Sequence, residues 1–204
     1  MPKITAVTPT IRPAGLEHVA RGLREQTFQD FEWLVDVNYT GKVDFNQAMN
    51  RLIYRAEGDL IVSIQDYITI TPTTLATFWE LHREHPAFYT APVIKEGKED
   101  WRVKGVGKCD WTDWEIDLGS APRKALVEIG GFDEELDQYW GFDNVNVGLR
   151  ADMAGWDIIC TNKAAGHAFD HDAVMAHPFR ELRNPTFHNA RLDQIRQGCR
   201  LQYL

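Results

Sequence analysis

Two periods of apolar residues run through the chain. Ile4-Thr5-Ala6-Val7-Thr8, Glu32-Trp33-Leu34-Val35-Asp36-Val37 and Leu60-Ile61-Val62-Ser63-Ile64 are short runs that read as strands, the first stopped by Pro9 and Pro13. Between them, Leu16, Val19, Ala20 and Leu23 recur at helical spacing and predict a helix over residues 15–26. Phe45, Met49, Leu52, Ile53 and Ala56 predict a second, closed by Gly58. Pro72 opens a third, with Leu75, Phe78, Trp79 and His82 on one face and His82 and His85 at its surface or end. Phe88 to Ile94 reads as a strand, Pro122 to Ile129 as a helix and Trp156 to Thr161 as the last strand. Gly130-Gly131 ends one helix, and another starts near Asp143-Asn144, with Val145, Leu149 and Met153 on its apolar face and Gly155 at its end. Strands alternating with helices predict an α/β fold, a doubly wound, mostly parallel sheet flanked by helices. Ligands of such sheets sit at the strand C-terminal ends, here Thr8 to Arg12, Asp36 to Thr40 and Gln65 to Tyr67.

Composition narrows the class. The 204 residues are 44% hydrophobic and 25% charged, which suits one globular domain over 1–204. No apolar run reaches the roughly 20 residues of a membrane span, and Met1-Pro2-Lys3-Ile4 enters a strand pattern, not a signal peptide. Cys109, Cys160 and Cys199 are odd in number and widely spaced, which predicts a reducing, cytoplasmic setting without disulfides or a cysteine zinc site. The net charge of -8 disfavours a broad nucleic-acid footprint.

The stretch Gly130-Gly131-Phe132-Asp133-Glu134-Glu135-Leu136, followed by Tyr139-Trp140-Gly141-Phe142-Asp143-Asn144-Val145-Asn146-Val147-Gly148-Leu149-Arg150, resembles the loop and helix of family 2 glycosyltransferases with the GT-A fold. Their pattern runs roughly GGFDE…(W)GxED-x-D-L-x-x-R. Asp143 and Asn144 stand where that pattern has its acidic pair, Asn146 takes the second acidic place, and Arg150 matches. The resemblance implies that Asp143 is the general base; residue type alone equally allows a helix cap. A carboxylate at a helix N-terminus is expected to stay ionised.

The likeness extends to the first half of the chain. Thr8-Pro9-Thr10-Ile11-Arg12 fills the family's first strand end, and Val37-Asn38-Tyr39-Thr40 falls where DDGS is expected, so either Asp36 or Asn38 would contact base or ribose. Asn50 ends an Ala-Arg-Asn segment that here lacks its arginine. Gly58 to Tyr67 is similar to the GDyivflDxD segment, whose carboxylates hold Mn²⁺ or Mg²⁺ against the leaving diphosphate. Here the triplet is Gln65-Asp66-Tyr67, with only the middle carboxylate left, and a lone Asp at a strand end also serves as a turn residue. His167, with His171 as the alternate, falls at the distance of the family's histidine, which makes Asp66 and His167 the implied metal pair. His167 and His171 as a zinc pair on a helix is a lesser option.

The resemblance therefore implies a GT-A glycosyltransferase with a Rossmann-like nucleotide-binding half (1–70), an acceptor and catalytic half (86–175) and a C-terminal tail (176–204). It would move a sugar, with inversion, from a nucleotide-diphosphate sugar, a UDP-sugar first, to a hydroxyl of a saccharide, protein or small molecule. Thr8, Pro9, Thr10, Arg12, Asp36, Asn38, Asn50, Gln65, Asp66 and Tyr67 would hold the donor. Trp111, Trp114, Trp140 and Phe142 would form the acceptor platform, since aromatic faces stack on sugars; closing a core edge is the alternative for the loop tryptophans, Trp101 among them. Lys95, Lys98, Arg102, Lys104 and Lys108 in that loop would suit a phosphate. In the tail, Arg180, Arg183, Arg191, Arg196 and Arg200 read as a solvated helix face, or as a clamp on a diphosphate or anionic acceptor. Two rivals remain: a catalytically inactive sugar- or nucleotide-binding module, favoured by the altered DxD and the Asp143-Asn144 pair, and a nucleotidyltransferase, which would want a glycine-rich loop that Thr8-Pro9-Thr10 does not supply.

Overall fold

The computed structural model describes residues 1–96, 98, 100–103, 105–169 and 179–204, so Lys104, His171 and His177 lie outside the described residues. The central sheet has seven strands. They are β1 (Ile4–Thr10), β2 (Phe31–Val37), β3 (Leu60–Ile64), β5 (Phe88–Thr90), β7 (Gly107–Lys108), β8 (Leu118–Pro122) and β9 (Ile158–Cys160). Their order is β2-β1-β3-β8-β5-β9-β7, with β8 and β7 antiparallel to their neighbours and the other five running one way. A three-stranded sheet is formed by β4 (Ile68–Ile70), β6 (Val93–Ile94) and β10 (Gly166–Ala168), with β10 in the middle. Among the described residues six α-helices complete the fold: α1 (Leu16–Arg24), α2 (Phe45–Arg55), α3 (Thr74–Glu84), α4 (Arg123–Glu128), α5 (Asp143–Met153) and α6 (Pro185–Arg196). Among the described residues no helix is long and apolar enough to cross a membrane.

Alternation along the strands decides which face each helix covers. On β1 and β3, Ile4, Ala6, Leu60, Val62 and Ile64 face one core with Val19 and Leu23 of α1 and Leu75, Phe78 and Leu81 of α3. Val7 and Ile61 face the other, with Met49, Leu52 and Ile53 of α2, Ala125 and Leu126 of α4, and Val147 and Ala151 of α5. The sheet is thus covered on both sides, as the continuous apolar runs predict.

Several expectations change. Pro9 does not stop β1, which runs to Thr10 alongside β2 in the register Pro9↔Asp36 and Thr10↔Val37. The predicted strand Phe88 to Ile94 is two strands in different sheets, because Ala91 and Pro92 break it. Pro122 ends a strand, β8, which carries the small residues Gly119, Ser120 and Ala121 and shows no apolar run. Ala56, not Gly58, caps α2. Gly130 and Gly131 do take left-handed angles, φ 80° and 77°, as the turn after α4 requires. On α5, Met153 is exposed, and Val145 and Leu149 pack against Leu192 and Ile195 of α6 instead of the main core. The tail helix is therefore docked through its apolar face, while Arg196 on it stays exposed as a solvated face requires. Its Arg191 pairs with the fully buried Asp133, Nε to Oδ2 at 2.6 Å.

Candidate active site

The C-terminal ends of β1, β2 and β3 and the N-terminus of α5 border one cavity of about 840 Å³. From the strand ends, Pro9, Thr10, Arg12, Asp36, Asn38, Gln65, Asp66 and Tyr67 line it, eight of the residues expected on the donor side. The other two do not. Thr8 is buried with its hydroxyl on the Ile64 carbonyl (2.8 Å) and accepting from Trp33 Nε1 (3.0 Å). Asn50 is buried beneath the Gly-Gly turn, accepting from Phe132 N and donating to Phe132 O and Glu134 Oε1. Its amide holds the turn in shape.

Asp36 and Asn38 are both committed to the protein. Arg51 grips Asp36 through two bonds of 2.8 Å and reaches Asp44, while the Asn38 amide donates to Asp44 and to the Lys42 carbonyl. Asp66 is 3% exposed, and both of its oxygens are occupied. Arg12 Nη2 donates to Oδ1, while Arg12 Nε (3.2 Å) and Thr10 Oγ1 (2.5 Å) donate to Oδ2. His167, the expected second metal ligand, is exposed on β10 opposite Thr69 and does not line the cavity. Among the described residues no group of three His, Cys, Asp or Glu side chains is placed to hold a metal ion.

Asp143 is the first residue of α5. The cap position belongs to Phe142, whose φ of 73° makes it the one non-glycine residue in left-handed geometry among the described residues. Asp143 is therefore not the expected cap, and its side chain lines the cavity. Asn46, fully buried, donates from Nδ2 to Asp143 Oδ1 (2.7 Å) and to Asp137 Oδ1 (2.9 Å). Asp137 in turn accepts from the backbone N–H of Asn46 and Gln47 at the start of α2. The carboxyl of Asp143 is not simply ionised, as a helix N-terminus alone predicts. Burial, reinforced by the charge of Asp137 and opposed by the Asn46 bond, pushes it up to about 6. Such a group accepts a proton readily near neutral pH.

Behind it, Arg150 stitches α5 to the glycine turn, Nη1 to the carbonyls of Ile129 (2.7 Å) and Gly131 and Nε to Asn146 Oδ1 (2.9 Å). Burial of this guanidinium lowers it to about 10. The Arg150 of the motif thus supports the loop from behind.

The four aromatics expected on the acceptor side divide. Trp140 and Phe142 line the cavity, with the Arg183 guanidinium over both rings at 6.0 and 4.3 Å. Trp114 is 2% exposed, edge-on to Phe88 and bonded to the Tyr89 carbonyl (3.1 Å), so it is a core residue and no platform. Trp111 packs against the α5–α6 contact beneath Arg196 and stays outside the cavity. The loop tryptophan that does line it is Trp101.

Sequence reading missed Asn46 and Glu115, and gave Arg102 a different role. Asn46 was detectable as a polar residue beginning an apolar helix. Glu115 lines the cavity and accepts from Asn144 Nδ2 (3.2 Å); burial first, and the Asp117 charge second, push it up to about 7. Arg102, expected to serve a phosphate, is buried between Asp100 and Asp117 at 2.6 and 2.7 Å and anchors the loop.

Solved structures of the same fold include TarS of S. aureus, with a TM-score of 0.65 and 14% identity over 81% of this chain and 36% of that one. TarS 1–349 in complex with UDP-GlcNAc matches with a TM-score of 0.63 and 13% identity over 82% of this chain and 59% of that one. The mannosyltransferase PcManGT from Pyrobaculum calidifontis, in complex with GDP-Man and Mn²⁺, matches at 0.58 and 15% over 81% and 56%. At these identities the likeness establishes the fold, that of GT-A glycosyltransferases. This chain spans between 36% and 60% of the length of the structures it matches. No family model and no curated protein matches the sequence.

Proposed function

We propose that this chain transfers a sugar from a nucleoside-diphosphate sugar to an acceptor hydroxyl, with Asp143 as general base. The observation that carries the reading is the Asp143 carboxyl, held by Asn46 with an affinity for protons near neutrality in the same cavity as the strand ends. Above pH 6 the carboxylate removes the proton of the acceptor hydroxyl. That oxygen then bonds to the anomeric carbon as the bond from this carbon to the diphosphate breaks, and the electron pair leaves with the nucleoside diphosphate. Attack from the face opposite the leaving group inverts the carbon.

Pro9, Thr10, Arg12, Tyr67, Trp140 and Phe142 all line this cavity; the first four would hold the donor, and Trp140 and Phe142 the acceptor. The neighbours in complex with UDP-GlcNAc and GDP-Man support a nucleotide-sugar donor, a UDP-sugar by preference; a saccharide, protein hydroxyl or small molecule fits the acceptor side. A Mn²⁺ or Mg²⁺ ion on Asp66 and His167 fits these residues poorly, since Arg12 and Thr10 already occupy the Asp66 oxygens.

The same occupied Asp66 favours a second reading, a module that binds the nucleotide without turnover. The two separate in one experiment, incubation with a panel of UDP- and GDP-sugars while following release of nucleoside diphosphate. Release from at least one donor is the expected result. Binding without release supports the module, and no interaction with any donor contradicts both readings.

A further inference from the structure

We infer that Arg12 is the resident cation of the donor site and binds the donor diphosphate directly, in the place where the resemblance puts a divalent metal. The inference rests on reading the cavity as a nucleoside-diphosphate site.

Chemistry at Asp66 comes first. A hard divalent cation needs carboxylate oxygens with lone pairs free at about 2.0–2.6 Å. Here Arg12 and Thr10 together donate three hydrogen bonds to one buried carboxylate. Its flanking residues offer no second anion. Gln65 is neutral, and burial holds the Tyr67 phenol protonated well beyond its ordinary range.

Geometry makes the arginine a built part of the site. The Arg12 N–H donates to Thr10 Oγ1 (2.8 Å), and its carbonyl accepts from Gly15 N (2.9 Å). Gly15 packs so closely on the end of β3 that a Cβ there would lie 2.0 Å from the Asp66 carbonyl oxygen. The turn carrying Arg12 and the strand end carrying Asp66 are thereby locked together.

Donor count supplies the rest. A guanidinium has five N–H groups. Two are spent on Asp66, and three remain on a side chain that is 32% exposed, lines the cavity and lies 5.6 Å over the Tyr67 ring. Planar N–H pairs suit phosphate oxygens. The Arg12–Asp66 pair is neutral as a whole, so net positive charge toward a diphosphate comes from Lys95 and Lys98, which are paired by a backbone bridge and both line the cavity.

Calorimetry with UDP and GDP, in excess chelator and in Mn²⁺, tests this on wild type and Arg12→Gln. Wild type is expected to bind one of them equally in both media. Arg12→Gln should lose about 10–100-fold in chelator, the range of one or two charge-assisted bonds, and recover in part with Mn²⁺ as Asp66 is freed. Wild-type binding that requires Mn²⁺ overturns the inference and leaves the donor-site reading standing. Undiminished binding by folded Arg12→Gln in chelator overturns it as well. Failure of both nucleotides in both media contradicts the donor site itself. The wild-type comparison decides the matter even where the variant does not fold.

Discussion

The imidazole of His188 lies flat on the ring of Phe142, with centroids 4.3 Å apart and planes 12° apart. Phe142 is the left-handed residue before Asp143, a geometry that costs about 1–2 kcal/mol in a non-glycine residue and persists only where the surroundings impose it. A helix of the tail thus holds the backbone that aims the proposed base. Burial, with the Arg183 charge second, lowers His188 to about 4, so the ring is neutral at working pH. His188→Ala is expected to reduce kcat about 10-fold or more with donor KM little changed, since misplacement costs rate. His188→Phe should restore most of it. Steady-state kinetics on both variants checks this, and equal loss in both would remove the stack from the account.

Trp140 and Trp114 are the same residue type with opposite assignments. Trp140→Ala should slow transfer to acceptor far more than donor hydrolysis, because water needs no platform. Trp114→Ala should cost about 3–5 kcal/mol of stability, the usual loss for a buried large aromatic. Denaturant melts and paired transfer and hydrolysis assays separate the two. A Trp140 variant that loses both reactions equally would move the acceptor site elsewhere.

Glu115 gives the cavity a second titration. Its folded value of about 7 lies above the ordinary glutamate range, so the carboxyl is neutral in mildly acidic solution and becomes an anion as pH rises through 7. Donor affinity is expected to weaken across that window, as a negative charge appears beside a diphosphate. Glu115→Gln should flatten the decline. Calorimetric titration of nucleoside diphosphate from pH 6 to 8.5 measures it, and an identical decline in the variant would exclude Glu115 as its source.

Much of this was legible from residue pattern. The runs at Ile4 and Leu60 mark β1 and β3 because strands buried on both faces read as continuous apolar segments, while β2, half-buried at the sheet edge, reads from Trp33-Leu34-Val35 between Glu32 and Asp36. Gly130-Gly131 and Asp143 mark the turn and helix that carry the proposed base. What escaped depends on distant partners. Asp66 meets Arg12 54 positions away, and Asn46 meets Asp143 97 positions away, so neither pairing leaves a local signature. Trp114 looks like an exposed loop aromatic until β5 and β8 are in place around it. β8 hid because Gly119 and Ser120 interrupt any apolar run.

One variant tests the role of Asp143 through two linked readouts. The folded-state value of about 6 lies above the ordinary aspartate value of 3.8, so the folded state binds this proton more tightly than the unfolded chain. The stability it contributes is full below pH 4 and is lost as pH rises through 6. Asp143→Asn keeps an oxygen for Asn46 without the buried charge, so its Tm should exceed that of wild type at pH 8 and match it near pH 4. The most direct measurement is turnover of this variant at pH 8 beside its donor affinity. Transfer is expected to fall about 10²–10⁴-fold with binding nearly intact. A folded Asp143→Asn that transfers sugar at the wild-type rate would contradict the assignment of the base.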